Sequence, residues 1–187
     1  MPQPLTPHQQ DGTTGSATSL AERPECAALI GLVANAWAWL EYQLGDLFEI
    51  ATAEIYRSDG HIIRRVSPIA IASFGTLESL SARLGVIEAA LELMLPKAVP
   101  GFASLTAQIR SCARGRNQVV HSGWGVNEKF PRHVIRMPKG GVDPYIKWTP
   151  KDFQREIDQI LAQSALIGAF KMECMILMRE KLPLEPS

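Results

Sequence analysis

The sequence is short of cysteine, of net charge and of long apolar runs, and each shortage excludes something. Its three cysteines, Cys26, Cys112 and Cys174, are spread over 187 residues. None is in CxxC spacing, which argues against a disulfide framework and a structural zinc site. They read as small core residues of a reducing compartment. Lys plus Arg and Asp plus Glu both number 19, giving a formal net charge of +0. A balanced chain lacks the global basic field of strong non-specific nucleic-acid binders, so any RNA attraction must come from a local patch. No run of about 18 consecutive apolar residues occurs, so no transmembrane helix is expected. The N-terminus lacks a charged segment followed by an apolar one, so no signal peptide is expected, and the cytoplasm is the default location. Serine, histidine and aspartate form no nucleophilic arrangement, no Gly-rich phosphate loop occurs, and no metal-ligand spacing is found. Neither metal nor cofactor is expected.

What is present is helical periodicity. Residues 1–22 are rich in Pro, Gln, Thr, Ser and Gly and are expected to be a flexible tail. A helix is expected from about Pro24 to Arg57, with Val33, Trp37, Leu40, Leu44, Leu47, Phe48, Ala51 and Ile55 on one stripe. Glu41 lies close to that stripe, about 40° from Trp37 at 100° per residue. A carboxylate there calls for a partner. Ser58-Asp59-Gly60 breaks the chain, and Ser67-Pro68 is an N-cap followed by proline at the first helical position. A second helix is expected over about Ile69 to Leu95, ended by Pro96 and Pro100-Gly101, and a third over about Phe102 to His121. Two short extended segments, 133–137 and 145–148, flank Pro138-Lys139-Gly140-Gly141 and predict a β-hairpin within 132–148. Thr149-Pro150 then starts a last long helix, to about Lys181. Residues 182–187 are expected to be a frayed tail. Residues 23–181 are thus expected to form one all-α domain, a bundle of four long helices with a small hairpin before the last.

The most informative stretch is Arg116-Asn117-Gln118-Val119-Val120-His121, followed by Ser122-Gly123-Trp124. It resembles the Arg-(four to six residues)-His motif of the HEPN domain family, in which a polar residue such as Asn follows the arginine. Phe74-Gly75-Thr76-Leu77 and Arg83-Leu84 resemble the preceding helix of such proteins. The resemblance implies a HEPN-like bundle and metal-independent endoribonuclease activity of toxin or antiphage-defence type. It further implies a homodimer in which arginine and histidine meet at the interface, and an antitoxin or other protein partner.

The residue types suit that chemistry. Histidine exchanges a proton near neutral pH. Arginine stays charged and binds phosphate oxygens bidentately. Asn117 can orient either group. Arg110, Arg114, Asn117 and His121 follow steps of four, three and four and share one helix face, which makes Arg110 and Arg114 candidate substrate-binding residues. Arg116 sits about 140° round the helix from His121, so the last turn must distort or the arginine must wrap for both to act on one phosphate. Contributions from two chains relax that constraint. Arg114 to His121 is a competing motif assignment, and Glu41 is the expected support of Arg116. Two further readings stand beside the nuclease. One is a non-catalytic HEPN-like module that binds RNA, nucleotide or a partner protein. The other is a plain helical interaction protein in which Arg116 and His121 are structural.

Overall fold

A computed structural model of the chain describes residues 1–16, 18–58, 61–138 and 143–181. The expected turn at Lys139-Gly140-Gly141, the break at Asp59-Gly60 and the tail 182–187 lie outside the described residues. The chain divides into two compact units.

The first unit comprises residues 1–38 and 110–161. Its centre is an antiparallel sheet, and this overturns the all-α bundle. The strands are β1 (Gln3–Pro4), β2 (Thr14–Gly15), β5 (Trp124–Val126), β6 (Val134–Arg136) and β7 (Ile146–Trp148), in the order β1-β7-β6-β5-β2. The expected hairpin is present as the β6–β7 pair, with Val134 opposite Trp148 and Arg136 opposite Ile146. It is the middle of a mixed helix-and-sheet fold, not an appendage to a bundle. The expected flexible tail supplies both edge strands and a short helix, α1 (Pro7–Gln10). Its ordering has a physical cause. Leu5 is buried, and the buried Asn127 amide donates to Asp11 O at 3.2 Å and Thr13 Oγ1 at 2.9 Å. A side chain that satisfies loop groups in this way fixes a segment with no apolar pattern of its own. Gly125 permits the β2–β5 approach: a Cβ there would lie 2.7 Å from Thr14 O.

Behind the sheet, Trp124, Trp148 and Phe153 form an aromatic cluster with ring centroids 5.0–5.7 Å apart. All three are buried. Such tilted and edge-on contacts add to their area burial.

The second unit comprises residues 39–109 and 162–181 of the described chain. Three helices contribute to both units: α2 (Pro24–Ala51), α5 (Val99–Val120) and α6 (Pro150–Glu180). The first expected helix therefore stops at Ala51, and Glu54–Ser58 pairs as β3 with β4 (His61–Arg65) in a two-stranded ribbon. The second expected helix is two. Helix α3 (Pro68–Gly75) is capped by Ser67, whose hydroxyl accepts from Ala70 N at 3.3 Å. Helix α4 (Leu80–Met94) is capped by Ser79 through Ala82 N at 3.1 Å. This second serine ends any continuous helix, because an N-cap residue leaves the helical backbone region. The core of the unit includes Leu44, Leu47, Leu84, Ile87 and Leu91, with Phe48 stacked on Phe74 at 4.4 Å.

Helix α6 starts as the Thr149-Pro150 signal predicts. Thr149 Oγ1 accepts from Asp152 N at 3.2 Å, and Asp152 Oδ2 accepts from Thr149 N at 2.9 Å. By length and composition α6 could cross a membrane, with a mean hydropathy of 1.5 over an 18-residue window that is 28% buried. Lys171 and Glu173 interrupt its apolar residues, so it holds no run of about 18 consecutive apolar residues. The buried positions Phe153, Ile157, Ile160, Ser164, Ile167, Phe170, Cys174 and Met178 recur every three or four residues. That spacing belongs to a helix packed along one side.

Candidate functional site

The site is built on the last turn of α5, in the first unit. The turn continues one residue past the helix through a backbone bond from His121 N to Asn117 O at 3.2 Å. Trp124 then ties this end to the sheet: its indole Nε1 donates to Val119 O at 3.1 Å. That carbonyl would otherwise be one of the orphans that every helix C-terminus leaves.

Arg116 closes the angular gap to His121 by wrapping. Its Nη1 donates to Asn117 Oδ1 at 2.9 Å and lies 3.0 Å from His121 Nε2. Guanidinium nitrogen has no lone pair to accept with, so Nε2 is the acceptor and the imidazole proton resides on Nδ1. Beneath the guanidinium lies Trp37, buried on α2, with the ring centroid 5.7 Å from Arg116 Cζ. A cation over an indole face is held by the ring quadrupole. Arg116 Nε is buried and has no hydrogen-bond partner among the described residues. The arginine, asparagine and histidine of the motif therefore meet within one chain, with the histidine ring exposed.

The other candidates are placed differently. Arg110 and Arg114 are exposed. Arg114 lines a cleft of about 480 Å³ that also takes in Asn117, Gln118, Ser122 and, from the sheet, Arg136. The contact with His121 is made by Arg116, not by the competing Arg114. Glu41 does not support Arg116. In the second unit it pairs with Arg83 at 3.6 Å, and Arg83 Nε also donates to Leu77 O at 2.7 Å. The sequence placed a carboxylate that needed a partner, but no periodicity says which arginine reaches it.

Three residues near the motif were not singled out as its neighbours. Trp37 carried only a core signal. Arg136, within the expected hairpin, is tied to the motif by no spacing. Gly115 is a close approach: a Cβ there would overlap the Glu156 carboxylate. Burial pushes the Glu156 carboxyl above its usual range; Asp152 adds to the shift and Arg155 opposes it. Cys112, one turn earlier, is raised by burial and then by Glu156. Cys26 is raised chiefly by burial, and Cys174 is pushed up to about 11. All three thiols are free and buried, which leaves them little thiolate character.

The chain matches no family model, no curated protein and no solved structure.

Proposed function

We propose that the protein is a metal-independent endoribonuclease of HEPN type, acting on cytoplasmic RNA as a homodimer in the manner of toxin or antiphage-defence proteins. The observation that carries this reading is the Arg116 guanidinium held against both Asn117 Oδ1 and His121 Nε2. It rests on the motif at the end of α5 and not on an all-α architecture.

The chemistry follows from the groups. The RNA 2′-hydroxyl attacks the adjacent phosphorus, and its proton passes to a histidine nitrogen that carries a lone pair. His121 Nε2 is that nitrogen once Arg116 leaves it for the phosphate. Two guanidinium N–H groups then face the non-bridging oxygens as their charge builds. The P–O5′ bond breaks, and the 5′-oxygen takes a proton from an imidazolium. In a homodimer the second His121 supplies it, so one histidine acts as base and the other as acid. The products are a 2′,3′-cyclic phosphate and a 5′-hydroxyl. Asn117 keeps the arginine aimed while it exchanges partners. A bound antitoxin would act by covering this exposed helix end.

The test compares wild type with His121→Ala on mixed total RNA in EDTA, reading cleavage and product ends. Cleavage by wild type alone, with cyclic phosphate ends and a loss of about 10²–10⁴ in the variant, is expected. Unchanged cleavage by the variant refutes the site. The zero net charge favours a second reading, a non-catalytic module that binds RNA, nucleotide or a partner protein. Folded wild-type protein that binds RNA and cleaves none of it would select that reading.

A further inference from the structure

We propose that the cleft between the end of α5 and strand β6 seats the nucleotide that flanks the scissile phosphate of single-stranded RNA, with Arg114 and Arg136 binding its phosphate. This deepens the ribonuclease reading above and rests on it.

The cleft opens directly from the motif. Asn117 belongs to both: its Oδ1 accepts from Arg116, and the residue lines the cleft wall. A strand bound with one phosphate at Arg116 and His121 therefore runs its neighbouring nucleotide past Asn117 into this space. The volume, about 480 Å³, falls within the range of about 300–1,000 Å³ typical of small-molecule sites.

Two guanidinium groups converge on the cleft from different elements. Arg114 comes from α5 and Arg136 from β6. Neither takes part in an ion pair among the described residues, whereas Arg23, Arg64, Arg83 and Arg155 all do. Arg136 is fixed by backbone bonding. It pairs in register with Trp124, and Met137 N donates to Gly123 O at 2.8 Å. Those bonds attach β6 to the residues immediately after His121, so the Arg136 position follows the catalytic turn. In a chain of zero net charge, such a local pair supplies the attraction that the global field lacks. Guanidinium is the cation suited to two-point phosphate binding.

The remaining lining favours an unpaired base. Gln118 offers an amide that both donates and accepts, and Asp143 offers a carboxylate that accepts. Base edges are open to such groups only when the base is splayed out of a helix, because side chains cannot read the deep groove of duplex RNA. A space of about 480 Å³ admits a splayed base with its sugar and phosphate.

The test measures binding apart from chemistry. A short 2′-O-methylated single-stranded oligoribonucleotide lacks the attacking hydroxyl, and its Kd is read by fluorescence anisotropy at several salt concentrations. The proteins are wild type, Arg114→Gln, Arg136→Gln and Arg132→Gln. Arg132 is exposed two residues before β6 and lies outside the cleft. Each cleft variant is expected to weaken binding about tenfold and to lower the salt slope by about 0.7. The control should change by less than about twofold, and duplex RNA should bind more weakly than the single strand. Equal losses in all three variants, no loss in the cleft variants, or no binding by wild type would each overturn the proposal. Cleavage of unmethylated RNA, run in parallel, separates the two readings. Cleavage with wild-type KM in both cleft variants removes the flanking subsite and leaves the nuclease. Arginine-dependent binding without cleavage by wild type removes the nuclease and keeps the cleft as a nucleotide site.

Discussion

Two tryptophans of one aromatic cluster should respond unequally to the same substitution. Trp124 and Trp148 are 7% and 2% exposed, with ring centroids 5.7 Å apart, and both touch Phe153. Their hydrogen bonding differs. Trp124 Nε1 donates to Val119 O, whereas Trp148 Nε1 is buried with no partner among the described residues. Replacing either indole by phenyl removes a similar volume, so the packing cost largely cancels in the comparison. Trp124→Phe further loses a hydrogen bond and strands a carbonyl beside the buried Val119, which costs about 1–3 kcal/mol. Trp148→Phe instead removes a stranded N–H, which returns about 1–3 kcal/mol and offsets its packing loss. The expected difference is therefore about 2 kcal/mol or more, with Trp124→Phe the less stable. For a chain of this size that is a gap in Tm of about 4–8 °C. Urea denaturation followed by circular dichroism measures it. The reasoning fails if Trp148→Phe costs as much as Trp124→Phe. Val119 lies two residues before His121, so on the ribonuclease reading proposed above Trp124→Phe should also lose more RNA cleavage than Trp148→Phe, at a temperature where both variants are folded.

Two carboxylates should give opposite pH trends. Glu156 has a raised folded pKa, so its contribution to stability is fully present below the unfolded carboxyl value and is lost as pH rises through the folded one. Glu156→Gln should therefore be more stable than wild type at neutral pH and lose that advantage at acid pH; a variant destabilised at pH 7 contradicts this. For Asp152, burial pushes the pKa up but is outweighed by bonds from the Thr149 backbone and hydroxyl, from the N-terminal amine and from Arg155, so the folded value is depressed. Its contribution is present above the unfolded value and is lost as pH falls through the folded one. Asp152→Asn should be less stable than wild type at pH 7, by about 1–2 kcal/mol for the lost cap, and should converge with it in acid melts. Gly125→Ala should cost about 1–3 kcal/mol, because its Cβ would meet a backbone oxygen that cannot rotate away. Proteolysis within residues 1–16 should accelerate with it, and unchanged cleavage there would contradict the edge pairing.

The long helices were legible because each repeats its apolar residues over many turns, as Val33, Trp37, Leu40, Leu44 and Leu47 do on α2. Of the sheet only the β6–β7 hairpin was, through the turn residues between its strands, because all five strands are two or three residues long and too short to display alternation. Pro4 and Gly15 are moreover residues poor in strand propensity. What orders them is non-local: pairing with strands more than a hundred residues away, and the reach of Asn127 into residues 9–13. At β3 the sequence pointed the wrong way, since Ile55 falls four residues after Ala51 and extends the helical stripe. Burial and pairing decide such a residue, and a single chain pattern contains neither.

The candidate site divides along the same line. Asn117 and His121 were legible because a step of four places them on one turn. Arg116 was legible as a motif residue but not as a contact, because spacing sets it about 140° away. A long side chain covers that angle only if something holds its stem and its head. Trp37 lies under the guanidinium, and Asn117 and His121 receive its Nη1. The arginine is thus held by groups from two helices, and Trp37→Leu separates holding from folding. If the indole face positions Arg116 for the proposed RNA cleavage, the variant loses kcat more than KM, and Trp37→Tyr, which keeps an aromatic face, recovers part of it. If Trp37 only fills the core, both variants lose stability with kcat of the folded fraction unchanged.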